Sequence, residues 1–368
     1  VTAADRPAST ARAGYDRPVS TAPAGYDVPA GVSARAFTLG LLAIAGFNAV
    51  LGVGVALAIA PHAWAVDAER NLAVAADLAA GAFGRNRGYL YSPLAALLTV
   101  PATWLPVGVA VFGWLVVRLA VLGEGIRRET QGWRPLDRAS AAVATVMFVP
   151  TLYDLMLGNV TIVLTAGVAI VAWSGDRFRA GIALGLLLAM VPKPAIVPFL
   201  IWMLIYRRRA LVGLGLTAVA ATAVGGLITG INPYASYIDI LRHPEYLDSP
   251  QFGNLALTAL PWAVAIGLGL CAIAGTLLAL RAGEAPGLIA ALAAGLVLSP
   301  YTMAYGPVML LIAFRPLLGV APVRTFLVAV SGSLLVIVFL PAWALAWMVA
   351  ALSVPRAVWA ERMSTVAR

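Results

Sequence analysis

Cysteine is nearly absent. Cys271 is the only one in 368 residues, which excludes a disulfide framework within the chain and any Cys-based metal centre. Charge is scarce as well: Asp, Glu, Lys and Arg make up 11% of the chain against 61% hydrophobic residues, where a soluble domain carries about a quarter charged and about half apolar. With a mean hydropathy of +0.91, this much apolar surface cannot be hidden in one aqueous core, and the chain reads as a membrane protein. Signatures of soluble enzymes are also missing. There is no phosphate-binding Gly-Lys-Ser/Thr, no His-Glu-x-x-His and no nucleophile elbow, so nucleotide-driven work is not expected. Lysine is used once, at Lys193, and every other cation is an arginine. The formal net charge of +9 reports arginine-rich cytoplasmic loops under the positive-inside rule, and nucleic acid is not an expected partner.

What is present divides sharply near residue 35. Residues 1–35 are rich in Ala, Pro, Ser, Thr and Gly and repeat every 11 residues: Asp5-Arg6-Pro7-Ala8-Ser9-Thr10-Ala11 returns as Asp16-Arg17-Pro18-Val19-Ser20-Thr21-Ala22. Spaced prolines and few large apolar groups cannot offset ordering entropy, so a disordered tail is expected, not a signal peptide. The tail's arginines hold it in the cytoplasm under the same charge rule. Residues 36–356 are read as one polytopic membrane domain, and 357–368 as a short basic cytoplasmic tail.

An all-α architecture of about 10–12 transmembrane helices is expected, with both termini inside. The spans run from Phe37 to Ala60, Val107 to Leu122, Ala139 to Tyr153, Val160 to Trp173, Ala180 to Val191, Ala195 to Tyr206, Leu211 to Ile231, Ala256 to Leu280, Gly287 to Leu298 and Val308 to Val320. Two short ones follow between Arg324 and Arg356. The outer face then holds segments 61–106, 154–159, 192–194, 232–254 and 299–307. Two places resist simple crossing. Between Arg179 and Arg207 the stretch is too short for two full spans, and Pro192-Lys193-Pro194 breaks it in the middle. This predicts two short helices whose tip opens to an outward, water-filled cavity, because irregular backbone survives at membrane depth only against protein or water. Tyr91 to Pro106, with Pro93, Pro101 and Pro106, reads as interfacial or re-entrant.

Several residues on that face have chemistry to offer. Lys193, as a desolvated ammonium between helix ends, suits a phosphate, or else snorkels to the interface. From Asp67 to Ala80 a short interfacial helix is expected, stopped by Gly81. Asp67 is then either its N-cap or a general base toward a sugar hydroxyl. With Glu69 it could share a divalent metal, although two carboxylates make a poor site and no cofactor is expected. Arg85, Arg87, Tyr89 and Tyr91 mix cations and aromatics before Pro93, suited to an anionic head group or to interfacial anchoring. Asp154, Gly158 and Asn159 form the second outward turn, where Asn159 can also cap the next helix. Asn254 begins the span from Ala256, and the loop 232–254 carries Asp239, Arg242, His243, Glu245, Tyr246 and Asp248.

The order of these pieces resembles a known family. An acid after the first helix, Tyr91-Ser-Pro-Leu-Ala-Ala-Leu-Leu-Thr-Val-Pro101, Leu157-Gly158-Asn159-Val160, Gly181 to Gly185 leading into Lys193-Pro194, Gly253-Asn254-Leu255-Ala256-Leu257, and Leu298-Ser299-Pro300-Tyr301 follow one another. Together they resemble the polyprenol-phosphate-mannose-dependent mannosyltransferases of glycosyltransferase family 87, with the GT-C membrane fold, over about residues 37–322. The resemblance implies a polyprenyl-phosphate hexose donor, mannose first, and a lipid-linked or cell-envelope glycan acceptor in an outward cavity. It implies Asp67 as the base and Lys193 at the donor phosphate, where Arg70 and Tyr91 are the further contacts expected. Asn159, Asp154, Asn254 and Tyr301 are the expected substrate contacts. Two departures stand out. Ser92 replaces the first proline of a Tyr-Pro-Pro stretch, and Tyr301-Thr-Met-Ala-Tyr305-Gly306-Pro307 lacks the histidines that some members carry after the late Ser-Pro. The competing class is a secondary transporter or lipid flippase, which would place ionisable groups near the midplane of repeated halves; no repeated half is visible. A non-catalytic scaffold in envelope assembly is a third reading.

Overall fold

The computed structural model describes residue 29 and residues 32–84, 89–242 and 255–360. The repeat-bearing tail before residue 29, the end from 361, Arg85, Arg87 and the segment 243–254 with Asn254 lie outside the described residues.

Secondary structure among the described residues is helical throughout. The first long helix, α1 (Ala34–Ala63), starts where Ser33 accepts a hydrogen bond from the Ala36 amide at 3.1 Å. It is followed by α2 (Val66–Ala79), α3 (Pro93–Thr99), α4 (Val107–Glu129), α5 (Pro135–Val146) and α6 (Val149–Leu157). Next come α7 (Thr161–Trp173), α8 (Phe178–Met190), α9 (Val197–Tyr206), α10 (Arg208–Thr229) and α11 (Asn232–Arg242). The chain continues as α12 (Trp262–Ala282), α13 (Glu284–Leu298), α14 (Phe314–Val320) and α15 (Pro322–Leu352).

Helix existence follows the apolar runs, but helix length does not support as many full crossings as the runs suggest. Among the described residues α1, α4, α10 and α12 are long and apolar enough to cross a membrane, and the α5–α6 pair, bent by 60°, adds a fifth candidate. Their outer surfaces leave Phe112, Val219, Leu227 and Leu270 exposed, as lipid-facing walls do. The other expected spans are apolar helices of 10–17 residues. At 1.5 Å per residue these reach only about half to four-fifths of a hydrocarbon core roughly 30 Å thick. Proline sets several of the breaks. Pro150 lies in the first turn of α6, so the stretch read as one span from Ala139 to Tyr153 is two helices. Non-helical geometry at Phe339, two residues before Pro341, bends α15 into the two short pieces expected between Arg324 and Arg356.

Glycine sets the close approaches. Helix α13 is the centre of the molecule, buried without interruption from Ala285 to Val297. A methyl at Gly295 would stand 1.9 Å from the Ala195 carbonyl oxygen, so the turn that carries Lys193 and Pro194 lies directly on this helix. On α8, Gly181 and Gly185 sit one turn apart, and methyls there would stand 1.8 Å from the Ala210 and 2.4 Å from the Leu214 carbonyl oxygens of α10. This is the small-xxx-small packing by which membrane helices approach closely. The expected pair of short helices around Pro192-Lys193-Pro194 is thus α8 and α9, joined by a 3-10 turn at Pro194–Ile196 and locked between α10 and α13.

Candidate active site

Three non-helical turns converge. The first precedes α2. Ala65 adopts a left-handed conformation at φ 60° and donates its amide to the Met156 carbonyl at 2.7 Å. Ala65 is therefore the N-cap residue of α2, and Asp67 lies inside the first turn, correcting the reading of Asp67 as the cap. The helix ends one residue before the expected Ala80, with Gly81 at φ 71° just beyond it.

The second turn is 154–161, between α6 and α7. Gly158 closes α6 at φ 82°, and a methyl there would stand 2.5 Å from the Ala68 side chain, so a glycine is required both for the conformation and for the approach to α2. That approach brings Asn159 onto Asp67, with the Asn159 amide donating to the carboxylate at 2.7 Å. The carbonyl oxygen of the same side chain accepts from the amides of Val160 (2.8 Å) and Thr161 (3.2 Å) and from the Thr161 hydroxyl (2.9 Å). Val160, not Asn159, is the N-cap residue of α7, which corrects the reading of Asn159 as the cap; the Asn159 side chain instead accepts amides at the entry to α7 and orients Asp67. Arg70, one turn along α2, stands 4.0 Å from Asp67 and is more than one-third exposed.

Lys193 belongs to the third turn. Its ammonium lies 5.6 Å from the centre of the Tyr91 ring and 5.1 Å from that of Tyr305, a two-sided aromatic seat. The turn lies outside the long helices. Burial lowers the lysine from its ordinary value, while the charges of Asp67 and Asp154 raise it. Tyr91 is held by the neighbouring serine, whose amide donates to Met190 at 2.9 Å and whose hydroxyl donates to Ala189. Ser92 thereby satisfies two carbonyls at the end of α8 that a helix terminus leaves open, which a proline at this position could not do.

The wall opposite is the segment 299–306. Tyr301, Thr302, Tyr305 and Ser299, with Thr161 and Lys193, line a cavity of about 30 Å³, room for one or two waters. Tyr305 lies beside Asn159. Burial pushes the Tyr301 hydroxyl up to about 12. Burial also holds Tyr91 and Tyr305 well above the ordinary value, and the nearby Asp67 and Asp154 add to it, so these phenols remain hydrogen-bond donors. A larger groove of about 540 Å³, lined by Leu122, Ile126 and Ala142 with Arg127 and Arg138, carries no carboxylate or lysine and lies apart from these turns.

The structure therefore gathers Asp67, Arg70, Tyr91, Asn159, Asp154, Lys193 and Tyr301 in one region, whereas Asn254 lies outside the described residues. Asp154 differs from its expected place at the substrate: it is fully buried, with its carboxylate 3.6 Å from Arg118. Arg118 and Tyr305 are the residues that sequence reasoning missed. Among the described residues no group of three or more His, Cys, Asp or Glu side chains converges to hold a metal.

An all-helical body with several lipid-facing helices, and turns that bring Asp67, Asp154 and Lys193 within electrostatic reach of one another, fits a multi-pass membrane protein with a site built for polar chemistry. The chain belongs to glycosyltransferase family 87, whose profile matches residues 89–305. It is accordingly a transferase acting on a sugar donor and an acceptor. The match covers Tyr91, Asn159, Lys193 and Tyr305 and begins after Asp67, so the tie to Asp67 is the hydrogen bond from Asn159. No curated protein and no solved structure matches the chain.

Proposed function

We propose that the protein transfers a hexose, mannose first, from a polyprenyl-phosphate donor to a lipid-linked or cell-envelope glycan acceptor on the extracytoplasmic face. The observation that carries this reading is the seating of the chain's only lysine between two tyrosines, within electrostatic reach of a carboxylate fixed by Asn159. Such a pair meets the two demands of transfer from a phosphate-linked sugar.

In the proposed reaction the acceptor hydroxyl oxygen forms a bond to the anomeric carbon. The bond from that carbon to the donor phosphate oxygen breaks, and its electron pair stays on the phosphate. Asp67 takes the hydroxyl proton. The donor is a phosphodiester with one negative charge, and the departing monoester gains a second, so an ammonium at that oxygen stabilises the transition state more than the ground state. Lys193 is suited to this as a compact charge with three donors, and the neutral Tyr91 and Tyr305 hydroxyl-bearing rings hold it without neutralising it. Arg70 lies on the exposed side of Asp67, where a head group would enter. Attack opposite the leaving phosphate gives inversion at the anomeric carbon. Chemistry of this kind needs positioning and charge stabilisation, and no metal is invoked in it.

The test is transfer by the purified protein, using radiolabelled polyprenyl-phosphate mannose and a membrane lipid extract as acceptor. Asp67→Asn should fold and bind donor yet lose transfer by at least about 100-fold, the scale of general-base catalysis. Near-normal turnover in that variant rejects the base assignment, and labelled donor recovered intact with wild-type protein rejects the donor class.

A further inference from the structure

Two residues of α4 grip the turn that carries Asn159, and neither has a hydrogen bond to Asp67 among the described residues. Trp114 donates its indole N–H to the Gly158 carbonyl at 2.8 Å. Arg118, one turn further and on the same face, donates to the backbone carbonyl of Asp154 and pairs with its carboxylate at 3.6 Å. That carbonyl also accepts the amides of Gly158 and Asn159, each at 3.1 Å. The other carboxylate oxygen accepts the Ile162 amide at 3.3 Å, so Asp154 ties both ends of the turn together. Arg118 is 1% and Asp154 0% exposed. Its guanidinium also lies 5.6 Å from the Trp114 ring. A charged pair placed inside an apolar helix bundle is costly, and such residues are usually retained for function.

We propose that Arg118, assisted by Trp114, is a positioning residue for transfer: by holding the 154–162 turn it fixes where Asn159 presents the Asp67 carboxylate. The inference rests on the reading of Asp67 as the base. Arg118 reaches Asp67 through Asp154, the turn and Asn159, and does not meet the substrate.

The experiment is a double-mutant cycle in lipid nanodiscs, with polyprenyl-phosphate mannose as the probe. Arg118→Lys keeps the charge but loses the planar fork, and Trp114→Phe removes only the indole N–H. Each is expected to lower kcat about 10-fold, the loss of one aligned hydrogen bond, with the donor KM within about twofold. Combined with Asn159→Ser, either change should slow the enzyme no further than Asn159→Ser alone, because all act along one path. Multiplied losses in the doubles, or a raised donor KM at unchanged kcat, overturn the proposal. Should Arg118→Lys fail to fold, the Trp114→Phe cycle decides. A second readout needs no substrate. Amide hydrogen exchange at residues 65–70, to which Arg118 and Trp114 make no hydrogen bond among the described residues, should rise several-fold in either α4 variant, and unchanged exchange there also overturns the proposal. If Asp67→Asn transfers normally, the base assignment falls, while the exchange result still decides whether α4 positions the first turn of α2.

Discussion

Asn159 offers the sharpest test of the site because its two functions can be separated by choice of substitution. The side chain donates to Asp67 at 2.7 Å, and its carbonyl oxygen accepts the Val160 and Thr161 amides at the entry to α7, at 2.8 and 3.2 Å. Asn159→Ala removes both. Losing the acceptor of those amides costs about 1 kcal/mol of stability, and losing a hydrogen bond to a charged group costs about 1.5–3 kcal/mol. If the second loss falls on the transition state, kcat drops by about 10- to 100-fold. Asn159→Ser keeps an oxygen that can accept those entry amides but is too short to span to α2. The serine variant should therefore recover most of the thermal stability and none of the turnover. The assay is initial-rate transfer with labelled donor, beside thermal unfolding of the same preparations. A serine variant that turns over within twofold of wild type would refute the claim that Asn159 serves Asp67.

The remaining predictions concern other parts of the pocket. Lys193→Ala should raise the donor KM or lower donor affinity far more than it affects the acceptor; equal effects in a two-substrate kinetic analysis would argue against a phosphate role. Gly295→Ala would place its methyl 1.9 Å from the Ala195 carbonyl, an overpacking of about 1–3 kcal/mol, so it should lower both thermal stability and transfer by displacing the lysine turn. Ser92→Ala removes the hydroxyl bond to Ala189 and should cost about 1 kcal/mol, read as a lower unfolding midpoint with donor use weakened through Tyr91. Gly158→Ala, forced to hold φ at 82° against Ala68, should lose about 1–2 kcal/mol from conformation alone, with activity falling further than in Ser92→Ala.

Much of the fold was legible because apolar runs and their breakers act locally. The interfacial helix expected from Asp67 to Ala80 is α2, Val66–Ala79, and the two prolines around Lys193 do mark a break between two short helices. The bend in the expected span Ala139 to Tyr153 had a signal in Pro150, which an apolar run of adequate length concealed. Asn159 stands where expected, at the entry to α7, but one residue short of its cap, which is Val160; its bonds to the next two amides depend only on neighbours in sequence. Its bond to Asp67 was not legible, since it spans 92 positions and depends on Gly158 letting two helices touch. Arg118 was hidden for a related reason: a single arginine inside α4 looks tolerable in a hydropathy window, and only the folded chain brings Asp154 to it. Resemblance to the family supplied the order of the motifs, whereas the serine in place of proline at 92 acquires a meaning only when α8 ends beside it.

The solitary lysine has a practical consequence. A reagent that acylates side-chain amines has one address on this chain, so peptide mass spectrometry after brief exposure would report on a single position. Because Tyr91 and Tyr305 flank that amine, the modification rate becomes a gauge of access. Occupancy by a bound lipid carrier would register as protection without any need to observe turnover.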